Sequence, residues 1–375
     1  MDARLPSLAD AAAERSDPAV TRAPWSCLLL GTVAAHAPAV LAEDAFQWSG
    51  FATARAVSEA AAPFDQDTVS AQLQLGLDWT PSSAFLVHVH LLARTDDGES
   101  RRGTAGTPEA YGELNLRPGK NRIRLRGGAF FLPTSRENVD ALWENPYTVS
   151  SSALNTWFGE ELRPIGLDAT FSRGGAVLGA TVFRGNETLG ALPLAPGWTM
   201  HDRWTLLGQK VLSGRGYYAS LSSEHDGRLG WSARAGWNGT RFSLLMTHLD
   251  NRSDALPYGD VYNWSTRFEL VSVELGFGDW TVAAEAGWGP TSIDVGVRVI
   301  TTDLSAAYAL VSRRLSRGRV SARLETYSDG DSRKQALTIA GQWTPGQRVG
   351  VALELLANEE TVRALLQVRY SLGGR

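Results

Sequence analysis

Residues 68–79 read TVSAQLQLGLDW, and their alternation constrains the fold more than any other feature of the chain. Val69, Ala71, Leu73, Leu75, Leu77 and Trp79 alternate with Thr68, Ser70, Gln72, Gln74, Gly76 and Asp78. A period of two places the apolar residues on one face of an extended strand and the polar ones on the other. The same period recurs near 46–57, 67–79, 84–94, 108–117, 121–131, 161–171, 176–184, 228–238, 241–250, 263–276, 280–289, 303–313, 318–328, 335–344, 347–357 and 361–372. Sixteen such segments, most of ten to twelve residues, define an all-β chain with strands long enough to cross a bilayer at a tilt. In 263–276, Phe268 and Leu270 lie on one parity and Val271, Val273 and Leu275 on the other, so a β-bulge near Leu270 is expected there.

Alternation is shared by soluble β-sandwiches, and the connections separate the two classes. Short turns at TPSS (80–83), PGK (118–120), SRGG (172–175), NGT (238–240) and TPG (344–346) alternate with longer segments at 58–66, 95–107, 132–160, 185–227, 251–262 and 289–302. This arrangement predicts a transmembrane antiparallel β-barrel of about sixteen strands, with short periplasmic turns and long extracellular loops. Trp79, Trp343, Trp280, Trp288, Trp231 and Trp237 fall on the apolar parity near strand ends, as interfacial girdle residues do.

Ahead of the strands, WSCLLLGTVAAHAPAVL (25–41) is a short apolar stretch behind Arg22, with small residues suited to cleavage after Ala42. Residues 1–42 are therefore expected to be an N-terminal extension and signal peptide, and 43–375 the barrel. The single cysteine, Cys27, lies inside the signal, so no disulfide framework or thiolate metal site is expected. A net charge of −4 argues against a nucleic-acid partner.

The signal, the sixteen alternating segments and the long connection after the fifth strand resemble a Gram-negative outer-membrane porin of the general or phosphate-selective type, over residues 46–372. The resemblance implies an outer-membrane location among lipids and lipopolysaccharide, and a water-filled channel for passive diffusion of small hydrophilic solutes. It also implies a third loop, 132–160, folded inward as a constriction, and it leaves a homotrimer open as the assembly.

In NRIRLRGGAFF (121–131), Ile123, Leu125, Ala129 and Phe131 share the apolar parity, so Arg122, Arg124 and Arg126 are expected to face the lumen. An arginine at mid-bilayer on the lipid face costs about 2 to 4 kcal/mol. A sixteen-stranded barrel encloses water rather than a packed core. The lumen parity carries Arg55, Arg94, Arg117, Arg122, Arg124, Arg126, Arg234, Arg267, Arg323, Arg348, Arg363 and Arg369 against Asp78, Glu113, Asp168, Glu269, Glu274, Glu285, Glu325 and Glu354. The wall is thus expected to be positive and the pore to prefer anions. The inward loop contributes Arg136, with Glu137, Asp140, Glu144, Glu160 and Glu161 expected to face the wall arginines across the constriction. An outward loop with solvated charges is the alternative.

His88 and His90 share the lumen face, and hydrogen bonding to Gln72, Gln74 or Asn115 explains them better than a metal ion, for which their strand offers no third ligand. GRGYYA (214–219) matches a dinucleotide fingerprint without a helix to receive a phosphate. The acidic DDGE (96–99) and SDGDS (328–332) read as solvated loop tips. Neither catalysis nor a cofactor is expected. The competing classes are a barrel enzyme hydrolysing lipid or peptide, for which His248 and Asp250 with Asp254, or His201 with Asp202, are the candidates, and a non-conducting structural or adhesin barrel.

Overall fold

The structure, a computed structural model, describes residues 45–61, 64–95, 104–138, 142–156, 164–185, 187–188, 206–208, 210–212, 218–220, 222–223, 227–253, 264–294, 298–330 and 332–373. The expected signal segment, DDGE (96–99), Asp140, Glu160, Glu161, His201, Asp202, Asp254 and most of GRGYYA lie outside these residues.

Sixteen strands form one closed antiparallel meander. They are β1 (Phe46–Ala61), β2 (Phe64–Ser82), β3 (Phe85–Arg94), β4 (Ala105–Leu116), β5 (Asn121–Ala129), β6 (Ile165–Arg173), β7 (Ala176–Arg184), β8 (Gly230–Asn238), β9 (Phe242–Asp250), β10 (Ser265–Phe277), β11 (Trp280–Asp294), β12 (Val299–Leu315), β13 (Gly318–Ser328), β14 (Arg333–Trp343), β15 (Val349–Asn358) and β16 (Thr361–Leu372). Each pairs with the next, and β1 closes the ring on β16 from Gly50↔Leu372 to Ala61↔Thr361. Closure satisfies the backbone of every strand and leaves no edge, which is the condition for a sheet to sit in hydrocarbon. Two short strand pairs, Glu187–Thr188 with Ser222–Ser223 and Lys210–Leu212 with Tyr218–Ser220, lie in the connection between β7 and β8.

The alternation sorts residues as expected. On β2, outward Val69 is 83% exposed and inward Gln74 2%. All six tryptophans expected at the girdles are outward and exposed. An apolar exterior on a closed barrel defines a membrane-spanning barrel. The turn between β6 and β7 is the two-residue pair Gly174–Gly175, both at positive φ (57° and 98°), a conformation that matches strand twist and that glycine adopts without strain.

The structure corrects the sequence reading in several places. No bulge interrupts β10, whose register with β9 runs unbroken from Phe242↔Leu275 to Asp250↔Arg267. Phe268 and Leu270 instead point inward and are buried, because the third loop packs against them, while Arg267 and Glu269 lie on the outward parity. Phe131 likewise packs inside, against Leu92 and Leu206, rather than facing lipid. The connections expected at 58–66 and 289–302 are shorter, since β1–β2 and β11–β12 keep pairing as far as Ala61↔Phe64 and Asp294↔Val299. Backbone hydrogen bonding carries these hairpins beyond the point where apolar alternation ends. The main apolar core lies within the lumen: Leu132 and Leu154 of the third loop meet Phe183, Leu249, Phe268, Leu304 and Leu356 from the wall.

Candidate functional site

The third loop leaves β5 at Phe130 and runs inside the barrel, where wall carboxylates hold it. Burying a peptide N–H requires an acceptor, and a carboxylate is a strong one. Glu285 on β11 accepts hydrogen bonds from the Ser135 hydroxyl (2.7 Å) and the Arg136 amide (2.6 Å). Glu354 on β15 accepts from the Val149 amide (2.6 Å), Glu325 on β13 from that of Ala153 (3.0 Å), and Glu274 on β10 from the Tyr147 hydroxyl (3.0 Å). Burial, with Glu274 beside it, pushes the Tyr147 hydroxyl above the ordinary tyrosine range.

Arg323 of β13 is the centre of this anchorage. Its guanidinium donates to Glu137 (2.5 Å), Glu325 (3.0 Å), Thr148 (2.9 Å) and the carbonyls of Ser150 (3.0 Å) and Ser151 (3.1 Å), and it has no exposed surface. Glu137 also accepts from the Ser152 amide at 3.0 Å. Glu144 makes a two-pronged pair with Arg369 of β16, both contacts 2.5 Å, and Arg369 lies over the Phe51 ring at 4.0 Å. Glu137 and Glu144 therefore do not face the Arg122–Arg126 column across a gap. They are bonded to Arg323 and Arg369, and Arg323 lies beneath the loop rather than in contact with the channel water.

Half a barrel away, β5 presents its arginine column on a stretch of wall to which none of these anchors belongs. Arg126 stacks over Tyr111 (4.1 Å) and pairs with Glu113 (2.9 Å), its cross-strand neighbour on β4. Arg124 donates to Thr170 (3.2 Å) on β6 and lies 3.7 Å from Asp168. Asp168 is also the partner of Arg234 on β8, at 2.6 Å. Arg122 donates to the neutral Asn115 (3.1 Å). Exposure grows down the column toward the short-turn end: the Arg126 side chain is 16% exposed, Arg124 29%, and Arg122 is exposed.

Other expected lumen residues are engaged in the wall. His88 and His90 are buried, not water-lining, with His88 Nδ1 at 2.7 Å from Asp78 and His90 Nε2 at 2.9 Å from Gln74. Asn115 serves Glu113 (2.7 Å) and Arg122 rather than a histidine. Arg55 donates to Gln367 (2.5 Å) beside a cavity of about 60 Å³ between the third loop and β1, β2 and β16. Arg94 faces inward opposite Gln72. Among the described residues no cluster of metal-ligating side chains is present. His248 points outward, bonded to Glu269 (2.6 Å) and stacked against Trp231 (4.7 Å), while Asp250 lies 3.5 Å from Arg267.

No family model and no curated protein matches the chain. Solved structures do match. Salmonella typhi OmpF in complex with daunomycin aligns at TM-score 0.58 and 9% identity, over 87% of this chain and 97% of that one. The anion-selective porin from Comamonas acidovorans aligns at 0.55 and 11% identity, over 87% and 99%. The trimer form of OmpT, an outer membrane protein of Vibrio cholerae, aligns at 0.54 and 8%, over 88% and 100%. A closed sixteen-stranded barrel with its third loop folded inward is the fold of the outer-membrane porins, and this chain has it.

Proposed function

We propose that this chain is a passive channel of the bacterial outer membrane that carries small hydrophilic solutes and favours anions, without catalysis or cofactor. The observation that carries this reading is the segregation of the lumen charge. The acidic residues of the β10–β15 wall are consumed as acceptors for the third loop, whereas Arg122 and Arg124 retain exposure on the opposite wall. Two unit charges about 7 Å apart in water repel by only roughly 0.6 kcal/mol, so a wet column of arginines is tolerable. An anion within the screening length of about 8 to 10 Å feels all of them together. Preference rather than strict selectivity follows, because Glu113 and Asp168 offset part of the charge.

The mature chain begins at Glu43 and assembles as a homotrimer among outer-membrane lipids and lipopolysaccharide. The deciding experiment reconstitutes the refolded protein in planar bilayers and measures the zero-current potential in a salt gradient. Replacing Arg122, Arg124 and Arg126 together by glutamine should move that potential toward cations. An unchanged potential at low ionic strength would sink the anion reading, and absence of conductance would sink the channel.

A further inference from the structure

The short-turn end of the barrel is strongly basic. Among the described residues, the seven short turns hold Arg117, Lys120, Arg241, Arg317 and Arg348, with Asp279 as their one carboxylate. The densest part is the β12–β13 hairpin, RRLSRGR (313–319). Its charges divide by direction. Arg314 and Arg319 lie on the inward parity, and Arg319 reaches the third loop, 5.1 Å over the Tyr147 ring. Arg313 lies on the outward parity, and Arg317 lies in the turn itself; both are exposed.

Arg313 pairs across strands with Trp280 and lies 5.3 Å over its ring. On the other flank of the hairpin, Trp343 of β14 stands opposite Gly318, also outward and exposed. Two outward tryptophans thus bracket the hairpin tip. Tryptophan at such a position marks the boundary between hydrocarbon and headgroups, where a neighbouring arginine extends its cation toward the phosphate layer. A soluble polyanion could reach Arg317 but not Arg313, which stands on the lipid side with its guanidinium over the Trp280 indole. An anionic lipid reaches both.

We propose that this hairpin binds the phosphate headgroup of an anionic phospholipid in the periplasmic leaflet, through Arg313 and Arg317, with Trp280 and Trp343 flanking the glycerol region. The assignment rests on the outer-membrane reading above, which makes the short turns periplasmic. A planar guanidinium matches a phosphate in two-pronged fashion, and each basic residue at a negative membrane surface contributes roughly a fivefold gain in binding.

The test uses the refolded full chain in neutral micelles, with lipid retention read by native mass spectrometry. Phosphatidylglycerol should be retained over phosphatidylcholine by about tenfold or more. The Arg313→Gln/Arg317→Gln variant should lose that preference while keeping heat-modifiable migration and wild-type conductance. Arg333→Gln, at the opposite end of the barrel, should keep the preference, and Arg313→Lys should keep part of it. Equal retention of the two lipids by the wild type would overturn the proposal, as would a preference that survives in the double variant. Displacement of phosphatidylglycerol by inorganic phosphate at equal concentration would make this a free-anion site. Binding of soluble polyglutamate that is lost in the double variant, without lipid preference, would identify a soluble polyanion instead; either outcome rejects the lipid. A barrel that retains phosphatidylglycerol but does not conduct would remove only the channel reading, and a conducting barrel without the preference would remove only this one.

Discussion

Arg323 Nη1 and Glu137 Oε1 lie 2.5 Å apart, 186 residues apart in sequence, and neither side chain has exposed surface. The pair ties the third loop to the wall at β13, and Glu325, the Thr148 hydroxyl, the carbonyls of Ser150 and Ser151 and the Ser152 amide surround it. Removing one partner of such a pair leaves an uncompensated buried charge and costs about 3 to 5 kcal/mol. The barrel's own backbone ladder does not depend on the pair. Arg323→Gln should therefore leave a folded barrel whose third loop is loosened, with larger and noisier single-channel conductance and a lower unfolding temperature. Wild-type conductance in that variant would mean that the other anchors, such as Glu354 with Val149, hold the loop unaided.

The arginines of β5 should not contribute equally to ion preference. Arg126 is matched by Glu113 and Arg124 shares Asp168 with Arg234, whereas Arg122 bonds only a neutral amide among the described residues. Arg122→Gln should shift the zero-current potential most, Arg124→Gln less and Arg126→Gln least. The ranking should flatten at high salt, where the screening length falls to about 3 Å. A larger effect at Arg126 would place the narrowest point at the loop's root rather than toward the short turns.

Leu125 and Ser172 test the two faces of the wall. Leu125 is outward and exposed, while Ser172 is the inward cross-strand neighbour of Arg122. Leu125→Arg should impair assembly by about 2 to 4 kcal/mol, and Ser172→Arg should fold normally. Heat-modifiable migration after refolding reads both. The reverse order would mean that the inside and outside of β5 and β6 have been exchanged.

The proposed cleavage after Ala42 would leave Glu43 as the first residue of the mature chain. Intact mass of protein purified from outer membranes should match residues 43–375, and a mass retaining Cys27 would rule the cleavage out.

All sixteen strands were legible because period-two alternation is local: each segment carries its own record of which face meets lipid. Buried contacts inside the lumen were not legible by the same rule. Phe268 and Leu270 broke the alternation on β10, and a bulge was the local explanation. Their actual reason is Leu154, more than a hundred residues away, which packs with them in one cluster. Glu274, Glu285, Glu325 and Glu354 could be assigned to the lumen by parity, but nothing in their own strands says that Glu285, Glu325 and Glu354 accept from the backbone of the third loop and Glu274 from its Tyr147 hydroxyl. Gln74 and the two histidines looked like lumen lining for the same reason. Parity gives a direction, and burial depends on what another segment places there.

Gly179 on β7 carries a further test of the arginine cluster. Arg234 reaches Asp168 (2.6 Å) and Thr170 (2.6 Å) by lying flat across β7, its cross-strand neighbour, and Gly179 stands directly beneath it. A Cβ at that position would lie 2.6 Å from the Arg234 Cζ, closer than any real contact, so the guanidinium must lift away. The backbone of Gly179 itself is ordinary extended strand, and alanine has no other reason to disturb it. Gly179→Ala should therefore destabilise the barrel by about 1 to 3 kcal/mol, the cost of leaving Asp168 short of a partner. In an Arg234→Ala background no guanidinium has to move, and the same substitution should be nearly silent. Urea unfolding of the wild type, both single variants and the double variant gives the coupling directly. If Gly179→Ala costs the same in both backgrounds, the penalty belongs to the strand and not to Arg234.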